Sequence, residues 1–179
     1  RLADCASCVV TEEKNGMYEC EIVYPMSGQF YSELSLDRIV KVKANEMSDY
    51  QLFRIYRIAK PIDGLVKIYC QHISYDLDGV VVNPALASSQ YQGEEVPFEV
   101  RSATARFVIN RLVEMSVYPT GFSNRFTISA TSSTVHDFSL ATPMTLRACL
   151  GGDEESILSV YGGEFEFDNF NVYLKEARG

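Results

Sequence analysis

The feature that most constrains the fold is the dipeptide Asn15-Gly16, which separates two short runs with the alternation of β-strands. Two-residue hairpin turns favour Asn-Gly because both turn positions need a positive φ. The runs cover residues 8–13 and 17–24, and in the second an apolar face alternates with an acidic one: Tyr18, Cys20, Ile22 and Tyr24 against Glu19 and Glu21. The first part of the chain is therefore predicted to form a β-hairpin over an apolar core.

The rest of the first half also has the pattern of strands. We predict them at residues 38–43, 52–60, 65–73 and 75–82, with a turn at 61–64 joining the second and third into a hairpin. Apolar residues in the run 52–60 fall on both faces, with Phe53 and Ile55 on one and Tyr56 and Ile58 on the other. This strand is therefore predicted to be covered on both sides or to carry a bulge.

After a loose stretch at residues 85–93, the apolar period changes to that of a helix. The spacing predicts a helix from an N-cap at Ser102 to Tyr118-Pro119, with a stripe of Ala105, Val108, Ile109, Leu112 and Met115. We further predict a strand at 124–131 and a helix that starts at Pro143, behind Thr142, and runs to residue 150. A short helix capped by Asp153 and a final hairpin turning at 168–169 complete the prediction. The predicted fold class is α+β and strand-dominated, with a boundary near residue 84.

Charge and hydropathy exclude several classes of function. The chain has 24 acidic and 16 basic residues, a net charge of −8, and its basic residues occur singly. Phosphate recognition needs clustered basic side chains, so we expect no stable binding to nucleic acid or anionic membranes. An acidic wall past which DNA slides remains compatible with this charge. The apolar runs also stay below the ~18 residues of a membrane span, so no membrane anchor is predicted.

The five cysteines indicate free thiols in a reducing compartment. Cys20 and Cys70 belong to apolar strand faces, where small buried thiols are common. Cys5 and Cys8 form a single C-x2-C pair, whereas a structural zinc site needs four ligands. With Cys149 in a predicted helix, we expect packed thiols, no disulfide framework and no metal.

The chain contains the residue types of a hydrolase site, but the sequence does not place them as a catalytic dyad or triad. His72 shares a strand face with Cys70, which predicts a hydrogen-bonded imidazole in the core, and their same-face spacing of ~7 Å is too long for a dyad. His136 and Asp137 lie in a predicted loop with Ser132, Ser133 and Ser139, but the chain contains no G-x-S-x-G nucleophile elbow. We therefore predict solvated loop polarity there and assign no catalytic residue.

Other short motifs also have structural explanations. Glu164 and Glu166 share a strand face and could imitate a glycosidase pair, but a polar outer face explains the same alternation. Residues 76–79 match only the opening of a calcium loop and indicate a turn, and Gly151-Gly152 lacks the Lys and Ser/Thr of a phosphate loop. The arginines within residues 53–57 alternate with aromatics, which predicts interface or sheet-face residues. No cofactor follows.

Four longer segments, taken together, resemble a known family. They are TEEKNGMYECEIVYP (11–25), FRIYRIAKPIDG (53–64), HISYDLDG (72–79) and SILSVYGGEFEFDN (156–169). These segments, in this order, resemble the N-terminal region of phage and prophage minor structural tail proteins. Those proteins are the tail-associated "prophage endopeptidase tail" family of long non-contractile tails. The resemblance covers nearly the whole chain.

The resemblance implies a fold like the central hub of contractile-tail baseplates. In that fold, two β-barrel-like domains per subunit let a trimer present pseudo-sixfold symmetry to a hexameric tail tube. It implies a β-rich hub domain at 1–83, completed beyond residue 179, and an inserted α+β domain at 84–179. It also implies assembly in the bacterial cytoplasm, a place at the virion tail tip, and contacts with the distal tail protein, with the tail tube or tape measure, and indirectly with the host surface. Endopeptidase or lysin activity, where the family has it, lies further along the polypeptide, so no enzyme is implied here.

Three functions remain open. The first is a structural hub ring that closes the tail tube and serves host attachment and DNA delivery. The second is a cell-wall carbohydrate-binding module using exposed aromatics, and the third is part of a tail-associated peptidoglycan hydrolase that depends on His72 or His136. The resemblance favours the first. Because one sequence does not distinguish the two sheet faces, we predict no site residues.

Overall fold

The computed structural model describes residues 2–46, 48–59, 62–87, 97–122 and 125–176. Strands account for 43% of the described residues and helices for 21%, so the fold is the predicted strand-dominated α+β class. Its backbone contacts divide it into two units, Arg1–Ile73 and Ser74–Gly179. The boundary predicted from the sequence lies ten residues further along, and the assignment of residues 84–179 to an insertion stays a prediction.

The first unit is one antiparallel sheet that curls into a half-barrel. Its strands are β1 (Ser7–Glu12), β2 (Tyr18–Pro25), β3 (Ile39–Lys43), β4 (Tyr50–Ile58) and β5 (Leu65–His72), in the order β1-β2-β5-β4-β3. A short 3-10 helix, Tyr31–Glu33, lies between β2 and β3. Asn15 has a φ of 52° in the turn between β1 and β2, but Gly16 lacks the positive φ of a two-residue turn. The Glu13 amide donates to the Met17 carbonyl, so the loop has three residues, 14–16. The predicted hairpin is present, with a longer turn than the Asn-Gly dipeptide indicated.

The core of the first unit follows from the alternation of β2 and β5. The inward positions are 0–3% exposed: Tyr18, Cys20, Ile22, Tyr24, Val66, Ile68, Cys70 and His72. The structure thus confirms the apolar face predicted from the sequence, including its two thiols and its imidazole.

A β-bulge in β4 explains why its apolar residues occur on both faces. Ile55 pairs with Cys70 and Arg57 pairs with Tyr69, so one extra residue lies between the two pairs. The insertion shifts the alternation, and Ile58 returns to the inner side opposite Ile68. The predicted bulge is confirmed.

The segment after β5 corrects the sequence analysis. Residues 75–82 were expected to form a strand, but a 3-10 helix covers Ile73–Gly79 and only β6 (Val81–Val82) is extended. Ile73, Leu77 and Val80 are fully buried, and their spacing of four and three residues is that of a helical turn. A second 3-10 helix follows at Pro84–Ala87. Of the loose stretch predicted at 85–93, residues 88–93 lie outside the described residues.

The second unit combines short helices with three small sheets. Its strands are β7 (Phe98–Thr104), β8 (Ser116–Val117), β9 (Thr127–Ala130), β10 (Val135–Leu140), β11 (Met144–Thr145), β12 (Glu164–Asp168) and β13 (Asn171–Lys175). Its helices are α1 (Ala105–Glu114), α2 (Leu146–Leu150) and α3 (Ile157–Tyr161). The sheet orders are β10-β7, β11-β6-β8 and β12-β13-β9, and β13 pairs with β9 in parallel.

The helices begin later than the sequence pattern predicted. The N-caps are Thr104, Thr145 and Ser156, whose side chains accept hydrogen bonds from the third amide along, in place of the expected Ser102, Thr142 and Asp153. Ser102 and Thr104 belong instead to β7, a strand that the sequence analysis missed. The predicted strand at 124–131 is shorter, and Asn124 lies outside the described residues.

The core of the second unit forms around α1. The predicted stripe is confirmed, because Ala105, Val108, Ile109, Leu112 and Met115 are at most 1% exposed. It belongs to one cluster with Leu146, Cys149 and Leu150 of α2 and with Phe165, Val172 and Leu174 of the last hairpin. None of the helices in the described ranges has the length and apolar character needed to cross a bilayer.

Candidate interaction surface

The two faces of the five-stranded sheet differ in their exposure. The inner face is filled by the first unit's own core, whereas the side chains on the opposite side are half-buried or exposed. Six neighbouring residues form the surface that we call the outer face: Glu19, Glu21, Tyr56, Arg57, Lys67 and Tyr69. A partner that packs against the surface of this sheet, and not against its edges, would therefore contact the outer face.

The bulge in β4 determines which side chains the outer face presents. Tyr56 is the inserted residue, and both it and Arg57 are exposed. In a regular strand these neighbours would point to opposite sides of the sheet. The extra residue instead places an aromatic ring and a guanidinium side by side, next to Tyr69 of β5.

Short contacts hold the aromatic half of the outer face together. The Arg57 guanidinium lies 3.8 Å from the centre of the Tyr69 ring, and the Tyr56 and Tyr69 ring centres are 6.5 Å apart. The Tyr56 hydroxyl donates to Glu19 Oε2 at 3.3 Å. Partial burial, followed by the charge of Glu19 and this hydrogen bond, raises the pKa of Tyr56. The phenol therefore stays a neutral donor at physiological pH.

The charged half consists of a cross-strand pair. Lys67 Nζ lies 2.9 Å from Glu21 Oε1. The hydrogen bond and the negative charge of Glu21 raise the pKa of Lys67. Because both side chains face solvent, the pair adds little stability. If a binding partner removes water from this face, however, Lys67 and Glu21 still neutralise each other's charge.

The composition of the outer face suits protein recognition. Tyrosine and arginine are enriched at interfaces and supply most binding hot spots. The sheet also ends in two edge strands, β1 and β3, on which Val9 is 58% and Ile39 is 44% exposed. An edge strand offers main-chain donors and acceptors to a further strand. The sequence analysis named none of these residues as a site, although it assigned the arginines of 53–57 to a sheet face or interface.

The residues considered for hydrolysis serve strand contacts in the structure. His136 and Asp137 lie on β10, not in a loop. The His136 ring packs edge-to-face on Tyr161 at 5.2 Å, and Asp137 Oδ1 accepts from the Ser102 amide at 2.9 Å. The Ser132 hydroxyl donates to Thr134 Oγ1 at 3.1 Å. The predicted loop is therefore wrong for His136, Asp137 and Ser139, which lie on β10, and is found for Ser132 and Ser133, which lie in the loop before it.

His72 has the role that the sequence predicted. Its ring is fully buried, stacks on Tyr18 at 4.4 Å between ring centres, and meets Phe53 edge-to-face at 5.5 Å. Its Nε2 lies 3.2 Å from Oε1 of the buried Gln51. The imidazole is therefore a hydrogen-bonded part of the core.

Glu164 does not lie on a polar, solvent-facing side of β12, as the sequence analysis expected. It is only 8% exposed, whereas Glu166 is half-buried and accepts from Lys175 Nζ at 2.5 Å. The expectation is therefore wrong for Glu164, which the hairpin register places opposite Lys175.

The thiols of the C-x2-C pair have separate surroundings. Cys5 precedes β1 and donates to the Ser7 carbonyl at 2.9 Å, whereas Cys8 lies on β1, 3.6 Å from the sulfur of Cys20. Within the described ranges, no group of three or more His, Cys, Asp or Glu side chains is placed to hold a metal ion.

Comparison with known proteins shows a likeness to solved structures. No family model matches the sequence, and no curated protein is similar to it in sequence. The crystal structure of prophage tail protein gp18 from Listeria monocytogenes EGD-e matches 97% of this chain with a TM-score of 0.65 and 14% identity. The chain spans 46% of the length of that protein. At this identity the likeness establishes the fold.

Proposed function

We propose that the chain is a structural component of a phage tail tip, forming the hub ring that closes the tail tube below the distal tail protein. The observation that carries this proposal is the fold, which matches a prophage tail protein over 97% of the chain. The four sequence segments that resemble minor structural tail proteins support it independently. In this role the chain acts in the virion, in host attachment and DNA delivery, after assembly in the bacterial cytoplasm.

The outer face is the surface that we assign to contacts between subunits of a homotrimer. It combines Tyr56, Arg57 and Tyr69 on a rigid sheet, with little rotamer freedom left for Arg57 because it already stacks on Tyr69. Preordered side chains lower the entropic cost of association. The exposed edge β3 extends the same sheet and adds main-chain groups to the interface.

The distribution of charge supports the same assignment. Residues 1–73 carry ten acidic and nine basic side chains, whereas residues 74–179 carry fourteen and seven, giving net charges of −1 and −7. A nearly neutral first unit can pack against copies of itself without strong repulsion. An acidic second unit suits the walls of a DNA channel, because like charge reduces sticking.

We assign no catalytic role to these residues. His72, His136, Asp137 and Ser132 have structural contacts. Any peptidoglycan hydrolase would belong to another part of the polypeptide. The distal tail protein, the tail tube and the tape measure are the proposed partners, with no stable binding to nucleic acid.

The test is native mass spectrometry of this chain and of the polypeptide continued past Gly179, with and without the distal tail protein of the same phage. We expect a trimer that forms, or whose share of the molecules increases, when the distal tail protein is added as the hexameric partner. Truncation of a hot-spot residue, a class in which arginine is enriched, costs about 2 kcal/mol or more. We therefore expect Arg57→Glu to raise the dissociation constant about tenfold or more.

Arg106→Glu is the matched control, since it makes the same charge change at an exposed position in the first turn of α1. It should leave assembly unchanged. Monomers in every sample, with no complex on addition of the partner, would reject the hub. A trimer insensitive to Arg57→Glu would reject the outer face as its interface. Saturable binding of cell-wall glycan by these monomers would favour the carbohydrate-binding alternative.

A further inference from the structure

Two cysteines from neighbouring strands meet at the edge of the first unit. Cys8 on β1 faces Ile22 in the register, and Cys20 on β2 faces Val10, so the two cysteines are diagonal neighbours on the same side of the sheet. Their sulfur atoms are 3.6 Å apart, and both are free thiols. This is van der Waals contact between two sulfurs, so either thiol could attack the other once that other sulfur has entered a mixed disulfide.

The two thiols differ in access to solvent. Cys8 is exposed on an edge strand, whereas Cys20 is 2% exposed in the core. A hydrogen bond from the Cys20 thiol lowers the pKa of Cys8 to about 7, against a smaller opposing effect of burial. The same hydrogen bond and burial raise the pKa of Cys20. Cys8 is therefore the accessible nucleophile, and Cys20 is a protonated thiol held against it.

We propose that Cys8 and Cys20 form a reversible redox-modification site, in which a small-molecule disulfide such as oxidised glutathione converts the two thiols into a cross-strand disulfide. Cys8 loses its proton to solvent and attacks one sulfur of the oxidant. A mixed disulfide forms, and the first glutathione leaves. Cys20 then loses its proton and attacks the sulfur of Cys8, which releases the second glutathione. Two protein thiols are oxidised by two electrons, and one oxidised glutathione is reduced to two thiols.

Closing the bond requires β1 to move toward β2. Diagonal neighbours in a sheet have Cα atoms about 7–8 Å apart, and disulfides prefer separations below about 6.8 Å. β1 can adjust because it is an edge strand, paired only with β2. The resulting bond holds the edge strand to the sheet and is easily reduced again, as distorted disulfides are. The site thus makes attachment of β1 responsive to the redox state of the surroundings.

The other thiols are poor competitors. Cys70 lies opposite Cys20 in the register but is fully buried, and burial raises its pKa to about 12. Burial likewise raises the pKa of Cys149 to about 12. Cys5 is partly exposed, but burial and the nearby Cys8 raise its pKa, and its thiol donates to a carbonyl. Cys8 should therefore react first.

The test is oxidation of the native chain with oxidised glutathione, followed by thiol counting and peptide mapping by mass spectrometry. We expect two of the five thiols to disappear, a Cys8–Cys20 linked peptide, and full recovery with dithiothreitol. The rate of the first step should rise with pH and reach half its maximum near pH 7. Cys8→Ser should abolish the linkage, and Cys20→Ser should stop at one glutathione bound to Cys8.

Cys70→Ser is the matched control and should form the same linkage as the wild type. If Cys20→Ser fails to fold, the exposed Cys8→Ser still decides the question. A linkage between Cys20 and Cys70, a linkage between Cys5 and Cys8, or five thiols that persist under conditions that oxidise a free dithiol would each overturn the proposal.

Discussion

At the scale of single residues, the buried pair of Gln51 and His72 shows how a polar group is accommodated in the half-barrel. Gln51 is 3% exposed, and its Oε1 lies 3.2 Å from Nε2 of the fully buried His72. A buried polar group is costly unless it is hydrogen-bonded. The amide therefore stabilises the fold by providing the imidazole with a buried hydrogen-bond partner.

Gln51→Leu should lower the free energy of unfolding by about 1–3 kcal/mol, because the imidazole loses a buried hydrogen-bond partner. Urea unfolding of the full chain, followed by tyrosine fluorescence, measures this change. Gln71→Leu is the control, since Gln71 is half-exposed on the other side of the sheet. Its effect should stay within about 0.5 kcal/mol. Equal losses in the two variants would contradict a special role for the buried pair.

At the scale of elements, Arg147 joins three segments of the second unit. From α2, its Nη1 donates to Ser74 Oγ at 2.9 Å and its Nε lies 3.8 Å from Asp78 Oδ2, both in the 3-10 helix Ile73–Gly79. Its guanidinium also lies 3.8 Å from the centre of the Tyr75 ring and 5.3 Å from that of Phe167 on β12. Burial raises the pKa of Asp78, and the charge of Arg147 opposes that rise.

Arg147→Lys should lower the free energy of unfolding by about 1–3 kcal/mol, since an ammonium keeps the charge but loses the planar stacking and the fork of donors. Hydrogen exchange should also increase most in the peptide that contains residues 73–79. Arg101→Lys, at an exposed position of β7, is the control and should change neither quantity. A uniform increase in exchange across the second unit would argue against local anchoring by Arg147.

The elements also show what could be predicted from the sequence. β2, β5 and α1 were predictable because each has one buried face, and burial imposes the period of two or 3.6 residues on the sequence. Strands β7 and β10 were missed because their buried positions are few and because Ser102, an exposed residue of β7, has a φ of 49° within the strand. The 3-10 helix after β5 was missed because the spacing of Tyr75, Leu77 and Val81 resembles the alternation of a strand. The residues that are actually buried, Ile73, Leu77 and Val80, have the spacing of a helix.

The outer face was only partly predictable. Apolar residues on both sides of the run 52–60 indicated a bulge, but not where the extra residue lies. That position depends on the pairing of β4 with β5, which a single sequence does not contain. The contact between Cys8 and Cys20 was hidden for the same reason, because it depends on the β1–β2 register.

At the scale of the whole molecule, the chain divides into two units with separate internal contacts, Arg1–Ile73 and Ser74–Gly179. One is a single curled sheet with a net charge near zero, and the other is an acidic assembly of small sheets and helices. Each encloses a set of fully buried aliphatic side chains, among them Ile68 in the first unit and Ile109 in the second. We therefore expect each unit to respond mainly to mutations in its own core.

Ile68→Val and Ile109→Val test this expectation with the same chemical change. Each removes one methylene from a side chain that is at most 1% exposed and should cost about 0.5–1.5 kcal/mol. Amides that exchange by unfolding of the mutated unit should then exchange about 2- to 12-fold faster, because each 1.4 kcal/mol is tenfold. Exchange mass spectrometry of the full chain should show this increase in residues 2–73 for Ile68→Val and in the later residues for Ile109→Val. If either substitution accelerates exchange in both units equally, the chain unfolds as one cooperative body, and the expectation that each unit responds to its own core is wrong.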